Sequence, residues 1–157
     1  MKTILILLLA LCFSLNISAQ NVTQEALQGS WRLVYLEGDG IAANYETRTY
    51  TMTDEFKQKH TPEELASMEK EAQAMFDAGF GLELVFLGNT ATYKIDVMDD
   101  VKAGTFELKP GTATLLILYG MDSNGKTKTF EPSFKDDKLY MKEVEPQQTT
   151  FVYSKIK

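Results

Sequence analysis

The stretch Leu27-Gln28-Gly29-Ser30-Trp31-Arg32-Leu33-Val34-Tyr35 decides the fold. It holds the chain's only tryptophan and starts an alternating apolar pattern that later segments repeat. Alternation at a period of two puts Trp31, Leu33 and Tyr35 on one face of a strand. Gly29, two residues before the indole, lets backbone cross closely behind it. A strand with so bulky an inner face needs others around it. The expectation is the first strand of a small closed β-barrel.

The rest of the chain fits that expectation. From Gly81 on it reads as a meander, with strands at 82–87, 90–97, 102–109, 112–119, 126–134, 138–144 and 149–156. Between them stand turn signals: Gly88-Asn89, Met98-Asp99-Asp100, Pro110-Gly111, Asn124-Gly125, Asp136-Asp137 and Glu145-Pro146. Short strands joined by short connections favour an up-and-down antiparallel barrel of about eight strands. Before the meander, over 45–53, Tyr45, Thr47, Thr49 and Thr51 alternate with Glu46, Arg48, Tyr50 and Met52, which predicts a polar or edge strand.

One segment breaks the period of two. Thr61-Pro62-Glu63-Glu64 carries a threonine N-cap, a proline at the first helical position and a glutamate completing a capping box. Leu65, Met68, Ala72, Met75 and Phe76 then share one helical stripe, and Gly79 stands where a left-handed cap ends a helix. The class is therefore all-β with one helical insertion at about 54–78.

Upstream, residues 1–19 read as a secretory signal peptide. Lys2 is the positive start, 4–15 the apolar run and Asn16-Ile17-Ser18-Ala19 the processing site. The run is too short to span a bilayer, and no later stretch is long and apolar enough. This predicts one exported domain over 20–157, periplasmic or secreted. Lipoprotein anchoring through Cys12 is the alternative, disfavoured by the bulk of Leu11. Cleavage after Ala19 removes Cys12, the only cysteine, so packing and not disulfides must hold the domain. The formal net charge is −6, with only two arginines, Arg32 and Arg48, and no basic cluster. Such a surface repels nucleic acid.

Gly29-Ser30-Trp31 is a G-x-W at the start of the first strand, and it resembles the opening motif of lipocalins and their wider calycin-type group. The chain from residue 20 on is similar to small exported lipocalin-like domains of bacteria, which open on L-x-G-x-W and stop on an aromatic-rich strand, here Phe151-Val152-Tyr153. The resemblance implies a barrel that holds a small ligand, with no cofactor. Lys155 stands where such barrels place an arginine across the tryptophan. Tyr153-Ser154-Lys155 does not reproduce the carboxylate-holding R-x-Y of fatty-acid-binding proteins, so cargo chemistry is not carried over.

The inward set expected from alternation includes Trp31, Leu33, Leu84, Phe86, Tyr93, Ile95, Phe106, Leu108, Leu115, Ile117, Phe130, Leu139, Met141, Phe151 and Tyr153. Ten of these are candidate ligand-binding residues: Trp31, Leu33, Phe86, Tyr93, Phe106, Ile117, Phe130, Met141, Phe151 and Tyr153. They either line a pocket for a small hydrophobic ligand or fill the barrel. Val34, Leu36, Val85, Leu87, Leu116 and Leu118 would face outward, to be covered by the helix or by an envelope protein. In the other arrangement the helix closes a barrel mouth. His60 precedes the helix without a second histidine at ligand spacing, which argues against zinc. Asp122-Ser123-Asn124-Gly125 lacks the fuller calcium-loop spacing. With one histidine and no cysteine beyond the leader, nucleophile–base pairs are nearly excluded, and the sequence predicts a protein that is not an enzyme.

Overall fold

The alternation around Trp31 becomes β1 (Gly29–Gly38). The computed structural model describes residues 22–95, 100–109, 114–119, 127–144 and 148–157; for 95, 100–102, 114, 116–119 and 127 it describes the backbone alone. The signal-peptide reading and the turns at Met98-Asp99, Pro110-Gly111, Asn124-Gly125 and Glu145-Pro146 lie outside the described residues. So do the side chains of Ile95, Leu116, Ile117 and Leu118.

After β1 come β2 (Ile41–Asn44), β3 (Thr49–Met52), β4 (Leu82–Leu87), β5 (Thr90–Ile95) and β6 (Asp100–Lys109). They are followed by β7 (Thr114–Tyr119), β8 (Thr127–Lys135), β9 (Lys138–Glu143) and β10 (Thr150–Lys155). Three helices accompany them: α1 (Gln24–Leu27), α2 (Asp54–Lys57) and the long α3 (Pro62–Asp77). No described helix is long and apolar enough to cross a membrane.

All strand pairs are antiparallel, and β4 to β10 follow one another in order. β10 returns to pair with β1, so β1 and β4 to β10 form a curled eight-stranded barrel. The ring is closed along one half only. β1 bonds β4 through Gly29 to Arg32, and from Tyr35 to Gly38 the same edge bonds β2. At the changeover β1 carries a bulge. Leu33 faces Tyr153 and Tyr35 faces Val152, so Val34 is the extra residue.

The bulge corrects two sequence expectations. Tyr153 belongs to the inner core and Val152 points the other way, so Tyr35, paired with Val152, leaves the inner face. Leu36 pairs with Phe151 on the inner side and Val34 is buried at the bulge, so neither joins an outward apolar face. The expected edge strand over 45–53 is also two things. Residues 45–48 form a turn and only Thr49–Met52 is strand. Asn44 Oδ1 accepts from the N–H groups of Glu46 and Thr47 at 3.0 and 2.9 Å, drawing the backbone out of the ladder.

The core is inside the lower, closed half. Leu27, Trp31, Leu84, Phe86, Ala91, Phe106, Leu115, Phe130, Leu139, Met141 and Tyr153 are buried together with Leu33. α1 seals this end: Thr23 caps it and Leu27 is fully buried. Gln28 Oε1 accepts from the Gly88 N–H at 2.8 Å, and Gln24 Nε2 donates to the Gly88 carbonyl at 3.0 Å, tying α1 to the β4–β5 turn.

α3 starts as its sequence dictates. Thr61 Oγ1 accepts from the Glu64 N–H at 3.3 Å while Glu64 Oε2 accepts from the Thr61 N–H at 2.8 Å. The Thr61 N–H, together with the Thr61 hydroxyl donating to the same oxygen at 3.2 Å, holds the Glu64 carboxyl below its ordinary value, with His60 adding a smaller pull. The helix ends in a Schellman motif: Gly79 at φ +70° donates to Phe76, and the Phe80 N–H reaches Met75 at 2.9 Å. Its packing partners are β3 and Tyr45, against which Phe76 lies buried, and Glu69 lies near Tyr50. It leaves Leu87 76% exposed.

Candidate functional site

The described side chains of the lower barrel pack against one another. Trp31 is 2% exposed; its Nε1–H donates to the Leu27 carbonyl at 2.7 Å and its ring lies 5.8 Å from that of Phe134. Lys155 Nζ sits 5.1 Å from the indole centroid, the cover that the sequence suggested. The lysine reaches the indole past Gly29, where an added Cβ would stand 3.3 Å from Lys155 Cε. What crosses Gly29 is thus the aliphatic stem of Lys155. Phe86 and Phe106 meet edge to face at 4.9 Å, and Met141 is 1% exposed.

Of the ten sequence candidates, Trp31, Leu33, Phe86, Phe106, Phe130, Met141 and Tyr153 are in this buried cluster. Tyr93 and Phe151 pack against it half-buried, and the Ile117 side chain lies outside the described residues. They are brought together, but as close-packed neighbours. Near the upper end of β9, Glu143 lies on the inner face with Met141 and Leu139. It is 4% exposed and its carboxylate is 2.9 Å from Lys128 Nζ. A buried carboxylate needs such a partner.

The open half is different. Where β1 passes from β4 to β2, a cleft of about 260 Å³ remains. Leu33, Val34, Tyr45, Phe76 and Phe80 line its floor, and Arg32, Glu46 and Arg48 its rim. Each is positioned by a local device. The bulge presents the Val34 carbonyl to the Tyr45 N–H at 2.9 Å. The Asn44 turn carries Glu46 outward to Lys138 at 2.8 Å and sets Arg48 at φ +54°. The Schellman motif turns Phe80 back so that its ring lies 5.8 Å from that of Tyr45, while Phe76 meets Tyr45 edge-on at 5.6 Å. Burial raises the Tyr45 phenol above its ordinary value, so it stays a neutral hydroxyl, able to donate or accept a hydrogen bond.

No protein-family model matches the chain. No curated protein matches it in sequence either. Among solved structures it is similar to the crystal structure of a DUF4847 family protein from Bacteroides vulgatus ATCC 8482. That protein is 14% identical, with a TM-score of 0.49, over 82% of this chain and 92% of the other.

Only Leu33 is shared between the candidates named from sequence and the lining of this cleft. Tyr45, Phe76, Phe80, Arg32 and Arg48 were not singled out as a site. One signal was present: Gly79 marks a left-handed helix stop, and the residue after it folds back on the helix's last turn. His60 stacks on Phe56 at 4.3 Å and stands 3.7 Å from Glu64. Among the described residues no three His, Cys, Asp or Glu side chains converge as metal ligands. The exposed large apolar residues among them, Met75, Leu87, Val144 and Ile156, belong to separate parts of the fold.

Proposed function

We propose that this protein is an exported, lipocalin-like, non-catalytic binder of one small apolar or amphipathic ligand, and that the ligand sits at the seam of the barrel. One observation carries the reading: the seam leaves a cleft of about 260 Å³ whose floor includes Leu33, a side chain of the inner barrel wall. The cleft joins aromatic and aliphatic side chains to charged ones, a mixture that suits an amphipathic small molecule. The described side chains of the lower barrel support this placement too, since they pack closely against one another. The leader-like residues 1–19 support export.

The test is native mass spectrometry on protein purified without detergent from its own host, followed by thermal shift across a panel of lipids and bile salts. A bound small molecule, or a stabilising ligand whose effect disappears in Phe80→Ala, is expected. A bare mass together with no shift across the panel would overturn the reading.

A further inference from the structure

The seam cleft is built for a particular charge. Arg32 and Arg48 are the chain's only arginines, and both stand on its rim. They come from different elements, β1 and the turn before β3, with 15 residues of acidic-leaning sequence between them. Arg48 is held at φ +54°, a conformation that residues other than glycine adopt uncommonly.

Among the described residues, the surrounding carboxylates form no ion pair with them. Glu46, in the same lining, is held by Lys138 Nζ at 2.8 Å. Glu83 is the cross-strand neighbour of Arg32, yet no ion pair forms between them. Neither guanidinium makes an ion pair or hydrogen bond with any described residue. Both arginines line a cleft that also holds aromatic side chains, and a guanidinium is a fork of donors that matches planar or tetrahedral oxyanions and can stack on a flat body.

We infer that the ligand of the seam is a small aromatic or short apolar molecule with an anionic head, carboxylate or phosphate, gripped by Arg32 and Arg48 while its body lies on Tyr45, Phe76 and Phe80. This rests on the reading of the seam as a ligand site. It places the anion at the outer rim of the barrel and not in its interior.

Three probes of one shape test it: 2-naphthoate, 2-naphthyl phosphate and the neutral 2-naphthylmethanol, titrated into the full domain by calorimetry and NMR. The acid or the phosphate is expected to bind at least about tenfold more tightly than the alcohol, as loss of a charge-assisted contact implies. The stronger of the two tells which head the fork prefers. Arg48→Gln and Arg32→Gln, both at exposed positions, should each remove about tenfold of that affinity and leave the alcohol unchanged. Shifts should centre on Tyr45 and Phe80. If the alcohol binds as well as the anions, or if both arginine variants keep full affinity, the anionic reading fails while the seam remains a ligand site. If shifts centre on Phe106 and Phe130, the site is wrong. If none of the three probes binds, the anionic reading fails, while the seam reading is decided by the native mass and the ligand panel.

Discussion

The two halves of β1 are one strand in sequence and two different environments in the fold. At Trp31 and Arg32 it has a strand on each side, β4 and β10, and its inward indole is sealed beneath α1 and Lys155. Past the bulge at Val34 the same strand keeps β10 but exchanges β4 for a two-stranded hairpin, and a cleft opens at the exchange. The difference shows how a barrel can be stable and still offer a site. Stability is concentrated where the ring is closed, so the open half is free to be irregular.

Emptying the closed half should cost the most. Trp31→Ala removes a fully buried ring and leaves the Leu27 carbonyl without its donor, so it should cost about 3–5 kcal/mol in urea unfolding. Phe80→Ala, in the half-open seam, should cost clearly less. Equal costs would mean that the seam is as much core as the lower barrel.

Two glycines sharpen it further. Gly29 and Gly79 both have positive φ, at +109° and +70°, but only Gly29 has a neighbour in the way. Gly79→Ala meets nothing within 4 Å and should cost about 1 kcal/mol from backbone strain alone. Gly29→Ala adds displacement of the Lys155 stem and a less forgiving φ, for roughly 2–3 kcal/mol. Thermal unfolding of the pair separates strain from packing.

Thr61→Ala should cost about 1 kcal/mol, confined to α3. Hydrogen exchange should quicken along α3 while Trp31 and its neighbours stay protected. Acid should also lower the protection of α3 relative to its intrinsic exchange rate. Glu64 is held below its ordinary value of 4.5, so its contribution is present above that value and is lost as pH falls through the lower folded-state one. A helix whose exchange is unchanged by both would show that packing on β3, and not its cap, holds it.

How much of this was legible in the sequence follows the same division. The closed half could be read because each of its residues obeys a local rule: period-two alternation from Leu84 to Tyr153, the glycine before Trp31, a lysine in register with the indole. The helix was legible through Thr61, Pro62, Glu64 and Gly79 for the same reason. The open half was not, because its geometry comes from a register slip. Leu33-Val34 is an apolar doublet that suits a bulge and a two-faced strand equally, and only the pairing of Leu33 with Tyr153 and Tyr35 with Val152 decides it. Tyr45 to Thr53 alternates like a strand, but Asn44 captures two backbone N–H groups and makes a turn of its first half. Arg32 and Arg48 were visible as the only two arginines; that a hairpin would return the second to the first was not.

The smallest expected effect concerns the cover on the indole. Lys155 does two things at once: its stem packs beside Gly29, and its ammonium stands over the Trp31 ring. An exposed cation–π contact contributes about 0.5–1 kcal/mol, while a stem that shields buried ring surface contributes by area alone and is insensitive to charge. Lys155→Met keeps the stem and removes the charge, and Lys155→Ala removes both. The expected order is wild type, then Met lower by about 0.5 kcal/mol, then Ala lower again with a red shift of the tryptophan emission as water reaches the ring. Met equal to wild type would make the lysine a purely apolar lid. Ala equal to Met would leave the charge as its whole contribution, and the close approach at Gly29 would then need another reason.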